Sequence, residues 1–406
     1  MIVASRTSSI RTSPDHLLAP PLSGGARVDV CIVGAGLAGM IAAYLLARDH
    51  RSVMVIEDGP IGGLQGGFEA AHSASVIETP YRDLEAQHGA RSAHVAAQSY
   101  AAAIDALEAI VRRERIACEF ERLDGYYIAA TGEPGDAVER EYDAARRAAV
   151  AGVELLEKAP IEGAQWEPCV RYPAQAQFHP AKFLAGLARA LTREGARIHC
   201  GVRARAVTAG RPTLLATTAG HRIEANVLVT SHAVRANGWI DAAPEPRFVH
   251  RLGLRIPRGS AARALYWESG DPARWVHVRS RGSGAGEVLM VGGEDPAAED
   301  DHTAYRYLEL ERWARSRFPG AREVVQRFNR AGGASARRVR VREPRRVRFA
   351  ERLRGHRAVG HADDARHARR PGHQGFRRRH RPAVGGALHD GRPPIGGGQQ
   401  FEAGGR

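Results

Sequence analysis

The stretch Arg27-V-D-V-C-I-V-G-A-G-L-A-G-M-I-A-A-Y-L-L-A-R-D-H-R-S-V-M-V-I-Glu57 decides how this chain is read. A short apolar run ends in a glycine turn, an apolar stretch of helical length follows, and a second apolar run closes on an acid. That is the pattern of a βαβ unit. Within it, Gly34-Ala35-Gly36-Leu37-Ala38-Gly39 fits G-x-G-x-x-G. Gly34 permits the tight turn after the strand, Gly36 lets backbone approach a pyrophosphate, and Gly39 lets helix and strand pack closely. A helix starting at Leu37 aims unpaired N–H groups and the positive end of its dipole at that pyrophosphate. Glu57, eighteen residues beyond Gly39, ends the second strand, where a carboxylate accepts hydrogen bonds from ribose hydroxyls and repels a 2′-phosphate. These residues together predict dinucleotide binding and leave FAD and NAD open.

The 406 residues suffice for one large two-part domain or two ordinary ones. Beyond Glu57, apolar periodicity predicts helices over 90–115, 137–157, 180–193 and 302–318. Strands are predicted at 125–130, 197–200, 204–208, 214–217 and 226–230, the last apolar throughout as in a parallel sheet. Residues 248–292 read as an antiparallel meander with strands at 248–256, 264–268, 275–279 and 287–291. No internal repeat is visible.

The formal charge of +14 is unevenly placed: residues 329–406 hold 20 Arg, no Lys and six acidic residues, and the rest balances 39 basic against 39 acidic. Cys31, Cys118, Cys169 and Cys200 are scattered, without the C-x-x-C spacing of a zinc or iron–sulfur site, so they read as buried thiols in a reducing compartment, and no metal is expected. Residues 1–25 lack the apolar core of a signal peptide, and no stretch reaches the ~18 apolar residues of a membrane span. A cytoplasmic protein with a disordered leader over 1–25 is expected, with no membrane partner.

The second glycine cluster, Gly59-Pro-Ile-Gly-Gly63, and the segment Val28 to Gly63 as a whole resemble the flavoprotein amine and amino-acid oxidase family typified by D-amino-acid, glycine and sarcosine oxidases. NAD enzymes rarely carry that cluster, so the resemblance implies FAD. Gly62 to Ser75, G-G-L-Q-G-G-F-E-A-A-H-S-A-S, is similar to the family's small-residue loop along FAD, with Leu64, Phe68 and Glu69 departing from its usual Ser, Thr and Arg. Gln175 to Leu191, Q-A-Q-F-H-P-A-K-F-L-A-G-L-A-R-A-L, resembles the family's return from substrate domain to FAD domain. By the same resemblance, Asp58, Gly62, Gly63 and His72 join Gly34 to Gly39 and Glu57 at the cofactor, Val207 meets the adenine through its backbone, and Thr230 lies at a second pyrophosphate contact. The resemblance runs from about residue 26 to 328. It looks closest to a subgroup that often carries a C-terminal Rieske domain, whose ligands are not found in this sequence.

The implied fold is α/β. A Rossmann-type FAD-binding domain over 26–90, 175–240 and 300–328 interleaves with a mixed or antiparallel-sheet substrate domain over 91–174 and 241–299. The implied activity is oxidation of a C–N bond in an amine or amino acid by hydride transfer to the flavin, so the protein needs mainly to position its substrate. The substrate and the electron acceptor are not legible. His179, before Pro180, reads as a helix cap or a group facing the flavin. Arg171 and Tyr172 read as surface and packing residues or as a carboxylate clamp. Tyr266, Trp267 and Trp275 lie in the meander that floors the family's pocket, although strand aromatics are more often simply core.

Residues 329–406 show no sustained period and read as a disordered Arg-rich tail, less readily as a nucleic-acid arm. A third reading is translation out of frame. Asp363-Asp364-Ala365-Arg366-His367 can be encoded GAT GAC GCA CGG CAC, which one nucleotide later reads Met-Thr-His-Gly-Thr. With GTC GGG CAT GCC for Val359 to Ala362 ahead of it, the shifted text resembles the family's S-G-x-G-M-T-H-G-T turn. The alternative function is therefore a catalytically inactive product of a disrupted flavoprotein gene.

Overall fold

The computed structural model describes residues 17–62, 71–73, 79–130, 133–163, 168–231, 247–268, 274–280, 287–295, 303–332 and 352–354. The opening βαβ unit is β1 (Ala26–Val33), α1 (Leu37–Arg48) and β2 (Val53–Ile56). There follow β3 (Ala71–Ser73), α2 (Tyr81–His88), α3 (Ala90–Glu114), β4 (Glu121–Ile128), α4 (Ala137–Arg147), β5 (Glu154–Leu156) and β6 (Cys169–Phe178). The chain returns through α5 (Pro180–Arg193), β7 (Arg197–His199), β8 (Ala204–Thr208), β9 (Thr213–Thr217) and β10 (Arg222–Thr230). A last group comprises β11 (Arg247–Ile256), β12 (Leu265–Glu268), β13 (Arg274–Ser280), β14 (Glu287–Asp295), α6 (Thr303–Arg317), β15 (Val324–Gly332) and β16 (Arg352–Arg354).

Two sheets organise these elements. The first has the order β7-β2-β1-β10-β9-β8, with β16 also pairing β10, and β7, β2, β1, β10 and β16 are parallel. β2 and the end of β1, Val30–Val33, are apolar and buried because both faces are covered there. Val30 and Ile32 pack under α1 and α5 with Met40, Tyr44 and Phe183, while Cys31 and Val33 pack with Met54, Leu215 and Leu228 on the other side. The second sheet runs β15-β11-β14-β13-β12-β4-β6-β3, with β5 on β6. One face of it packs Leu252, Leu254, Tyr266, Val276, Val278 and Leu289 against Leu310, Trp313 and Phe318 at α6.

Several expected boundaries move. Residues 300–328 were expected in the FAD-binding domain, but α6 and β15 join the second sheet, because the apolar side of α6 matches that sheet's inner face. The helix expected over 137–157 stops at Arg147, where Gly152 turns with φ +65° into β5. Within the expected leader, Leu17 and Leu22 are buried in the two cores of the first sheet, and residues 1–16 lie outside the described residues. Strand β6 was not anticipated: Pro173 interrupts its pattern, and the structure accommodates it beside Ala174, at φ +59°, where the β4–β6 register shifts. Of the Arg-rich segment, 329–332 belong to β15 and 352–354 form β16; its remainder lies outside the described residues.

Candidate active site

In-register pairing of Val33 with Ile56 and with Thr230 brings the carboxyl ends of β1, β2 and β10 together. Ligands of open α/β sheets bind at such ends. Gly34, at φ +112°, turns the chain out of β1 and donates its N–H to the Ile56 carbonyl at 2.9 Å. Gly39 cannot be anything larger: a Cβ there would collide with the Gly34 carbonyl and sit 2.9 Å from Ser231 Oγ. Ser231 Oγ donates to the Gly34 carbonyl at 3.0 Å and so braces the turn, a role that sequence reasoning missed. Gly36 is the opposite case, since a Cβ there would meet nothing within 4 Å. It precedes α1 without a side-chain cap, so the helix presents backbone donors to open space.

Glu57 is 8% exposed and ties two loops together. One carboxylate oxygen accepts from Ala35 N at 2.7 Å and the other from Gly59 N at 3.3 Å. Gly62 N donates to the Ala35 carbonyl at 2.9 Å, closing the same unit. Leu37 and Ala38 are half-buried in the first turn of α1. Asp58 faces Arg203 at 2.7 Å in an ion pair open to water. Thr230 ends β10 half-buried, and Val207 is buried in β8. His72 pairs through its backbone with Gln177, while Gly63 lies outside the described residues.

On the second sheet, adjacent residues point to opposite faces. Tyr266 therefore lies under α6, stacked on Tyr126 at 5.4 Å with its hydroxyl donating to the Ala262 carbonyl, and Trp267 lies on the other face. Register carries that second face across four strands: Trp267 opposes Trp275, Trp275 opposes Gly292, and Gly292 opposes Arg251. Arg251 holds its guanidinium 5.0 Å from the Trp275 ring centre, and Trp275 stacks on buried His277 at 5.7 Å. Neither Arg251 nor His277 stands out in the sequence, because only strand register brings them to the tryptophans.

The remaining candidates are engaged within the fold. Arg171 donates to Asp124 at 2.9 Å and Glu154 at 2.8 Å. Tyr172 is fully buried and donates to Glu141 at 2.7 Å; burial and that carboxylate push its phenol well above the usual range. His179 stands at the N-cap of α5, its Nδ1 accepting from Lys182 N at 3.4 Å, and its own N–H donates to the Cys118 carbonyl at 2.7 Å.

A sequence profile described as FAD dependent oxidoreductase matches residues 29–364. The chain belongs to this family. The match continues past residue 328, where the resemblance was expected to end, into the Arg-rich segment. A putative Rieske 2Fe-2S iron-sulfur protein, YhfW of Bacillus subtilis (strain 168), is 24% identical over 220 residues, covering 54% of this chain and 43% of the relative. The probable oxidoreductase OrdL of Haemophilus influenzae is 25% identical over 185 residues, 44% of this chain and 42% of that protein. The chain thus spans less than half the length of these relatives. Among solved structures, glycine oxidase from Geobacillus kaustophilus superposes with a TM-score of 0.61 at 19% identity, covering 83% of this chain and 90% of that one.

The family's cofactor is FAD, and the residues present suit one. The open space over Gly36, the uncapped start of α1 and the carboxylate of Glu57 form a cradle for a pyrophosphate and its ribose. Burial pushes all four cysteine thiols up, Cys31 to about 12 and Cys118 and Cys169 to about 11. Among the described residues, no group of three His, Cys, Asp or Glu could hold a metal, and no helix is long and apolar enough to cross a membrane.

Proposed function

We propose that this flavoprotein oxidises a C–N bond of an amine or amino acid. The observation that carries the reading is the cradle at the ends of β1 and β2, which joins an open glycine, an uncapped helix start and a buried carboxylate in one unit. Bound there, FAD would supply the acceptor for the substrate's hydride. Residues 34–39 would hold the pyrophosphate through backbone N–H groups, and Glu57 would accept from a ribose hydroxyl. Asp58, Gly62, Gly63, His72, Val207 and Thr230 would complete the cofactor contacts. The Arg251–Trp275–Trp267 face of the second sheet would orient the substrate and keep water from the reacting carbon. The glycine oxidase that shares the fold acts on an amino acid, which agrees with this reading.

The test is an absorbance scan of the purified protein. Flavin bands near ~450 nm that bleach when an amine or amino acid is added without an acceptor support it. Flavin that no such compound bleaches, or protein without flavin, would overturn it.

The Arg-rich segment favours a second reading, an inactive product of a disrupted gene. Eleven Arg and no Lys stand in residues 329–364, where the profile match is still running, and the text around Val359 to His367 can be encoded so that a shift of one nucleotide reads as a glycine turn. Such a turn after a strand would aim backbone donors at the reduced flavin's negative charge. Moving the frame back near codon 328 should raise both flavin content and melting temperature. A repaired protein holding no more flavin than this one excludes the frame shift.

A further inference from the structure

The segment Leu17-Leu18-Ala19-Pro20-Pro21-Leu22 lies as a strap across one end of the first sheet, beside the cradle. Leu17 is buried in the core under α1 and α5, and Leu22 in the core on the opposite face. Between them the Pro20 carbonyl lies 3.0 Å from Nδ1 of His199, the last residue of β7, which pairs with Ile56 at the end of β2. A carbonyl can only accept, so Nδ1 carries the proton. The strap therefore passes the carboxyl end of β7 from one face of the sheet to the other. The proline rings at 20 and 21 restrict its backbone beforehand, so docking it costs less conformational entropy than a run of ordinary residues would.

Two chains of hydrogen bonds lead from the strap to the groups of the cradle. In the first, the Leu17 carbonyl accepts from Ile61 N at 2.7 Å, Gly62 N donates to the Ala35 carbonyl at 2.9 Å, and Ala35 N donates to Glu57 at 2.7 Å. In the second, His199 holds Pro20 through its ring and accepts from Glu57 N at 2.9 Å through its own carbonyl. The buried Cys200 sulfur has the Ala19 and Ile61 backbones beside it. Of Gly59-Pro60-Ile61-Gly62, Ile61 alone is buried, in the same core as Leu17, and the two glycines lose much freedom on ordering. The loop thus leans on the strap for its place.

We infer that residues 17–22 position the cofactor, locking the second glycine loop and Glu57 in the arrangement that receives the ribose and pyrophosphate of FAD, with Leu17 and His199 as positioning residues. The inference rests on reading the cradle as the FAD site. With the strap released, the loop and the Ala35 peptide would no longer be fixed before the ligand arrives, and the entropy of ordering them would oppose binding.

The test loads the full-length protein with FAD and follows its release on dilution by the rise in flavin fluorescence, with melting curves of the same proteins stripped of FAD as the measure of the fold alone. His199→Ala and Leu17→Ser should each raise the Kd for FAD roughly tenfold. His199→Asn, whose side-chain amide keeps a donor near the Nδ1 position, and Leu17→Met, which keeps the buried anchor, should hold FAD close to the parent's affinity. Where Leu17→Ser does not melt cooperatively, the His199 pair decides. A His199→Ala variant that melts lower yet holds FAD as tightly as the parent shows a strap that serves the fold alone and overturns the inference, as does a loss of affinity that His199→Asn fails to restore. In either case a parent that holds FAD leaves the proposed function standing, whereas a parent that binds no FAD overturns that function and the inference with it.

Discussion

Glu57 and Glu141 are both buried carboxylates, and their surroundings give them different work. Glu57 spends its oxygens on Ala35 N and Gly59 N and keeps lone pairs toward the cradle. Glu57→Lys removes every acceptor there, so flavin retention should fall and stability should drop by about 1–3 kcal/mol. Equal flavin occupancy in variant and parent would remove Glu57 from the site. Glu141 accepts from Tyr81 N, Arg82 N and the Tyr172 hydroxyl, yet burial outweighs these donors and the nearby Arg82 cation and raises its pKa. A raised carboxyl stabilises the fold fully below the ordinary carboxylate range, and that contribution is lost as pH rises through the folded value. Glu141→Gln cannot ionise, so denaturant unfolding at pH 5 and pH 8 should show the parent losing stability relative to the variant at the higher pH. A relative gain would mean that the three donors dominate.

Among the elements, α6 shows how one buried polar anchor fixes a helix on a sheet. Glu268 of β12 is 5% exposed and accepts from Trp313 Nε1 at 2.6 Å and Arg317 at 2.5 Å. Removing the carboxylate would take an acceptor from the partly buried Arg317 and from the Trp313 indole, so Glu268→Ala should cost on the order of 3 kcal/mol in denaturant unfolding. The exposed Arg203–Asp58 pair is the contrast: Arg203→Ala should change stability by less than about 1 kcal/mol. Similar losses in the two variants would show that α6 is held by its apolar contacts alone. The start of α5 was legible because His179 and Pro180 form a local signal. Strand β6 was not, because its Pro173 bulge is tolerated only where β4 shifts register beside it.

For the whole molecule, charge and stability separate along the chain. If the Arg-rich segment acts as a nucleic-acid arm, DNA affinity should be appreciable at low salt, fall steeply as salt rises, and vanish on deleting residues 355–406, which spares β15 and β16. We expect weak binding without sequence preference, measured by fluorescence anisotropy; salt-insensitive or sequence-selective binding would contradict this. FAD should stabilise the folded state by mass action, about 2.7 kcal/mol at a hundredfold excess over its Kd, so stripping it should lower the melting temperature. Identical melting with and without added FAD would mean that the cradle does not bind it.

The sequence by itself determined the βαβ unit, its glycines and its terminal acid, because a turn, a helix start and a strand end are local features carried by neighbouring residues. It also marked the extent of α5 and most strands of the meander through periodicity. Only the tertiary structure decided that Ser231 braces the Gly34 turn, 197 residues away, and that Arg251, Gly292, Trp275 and Trp267 form one row. Those relations depend on which strands pair and in what register, and a shift of one residue would send every side chain of the row to the opposite face.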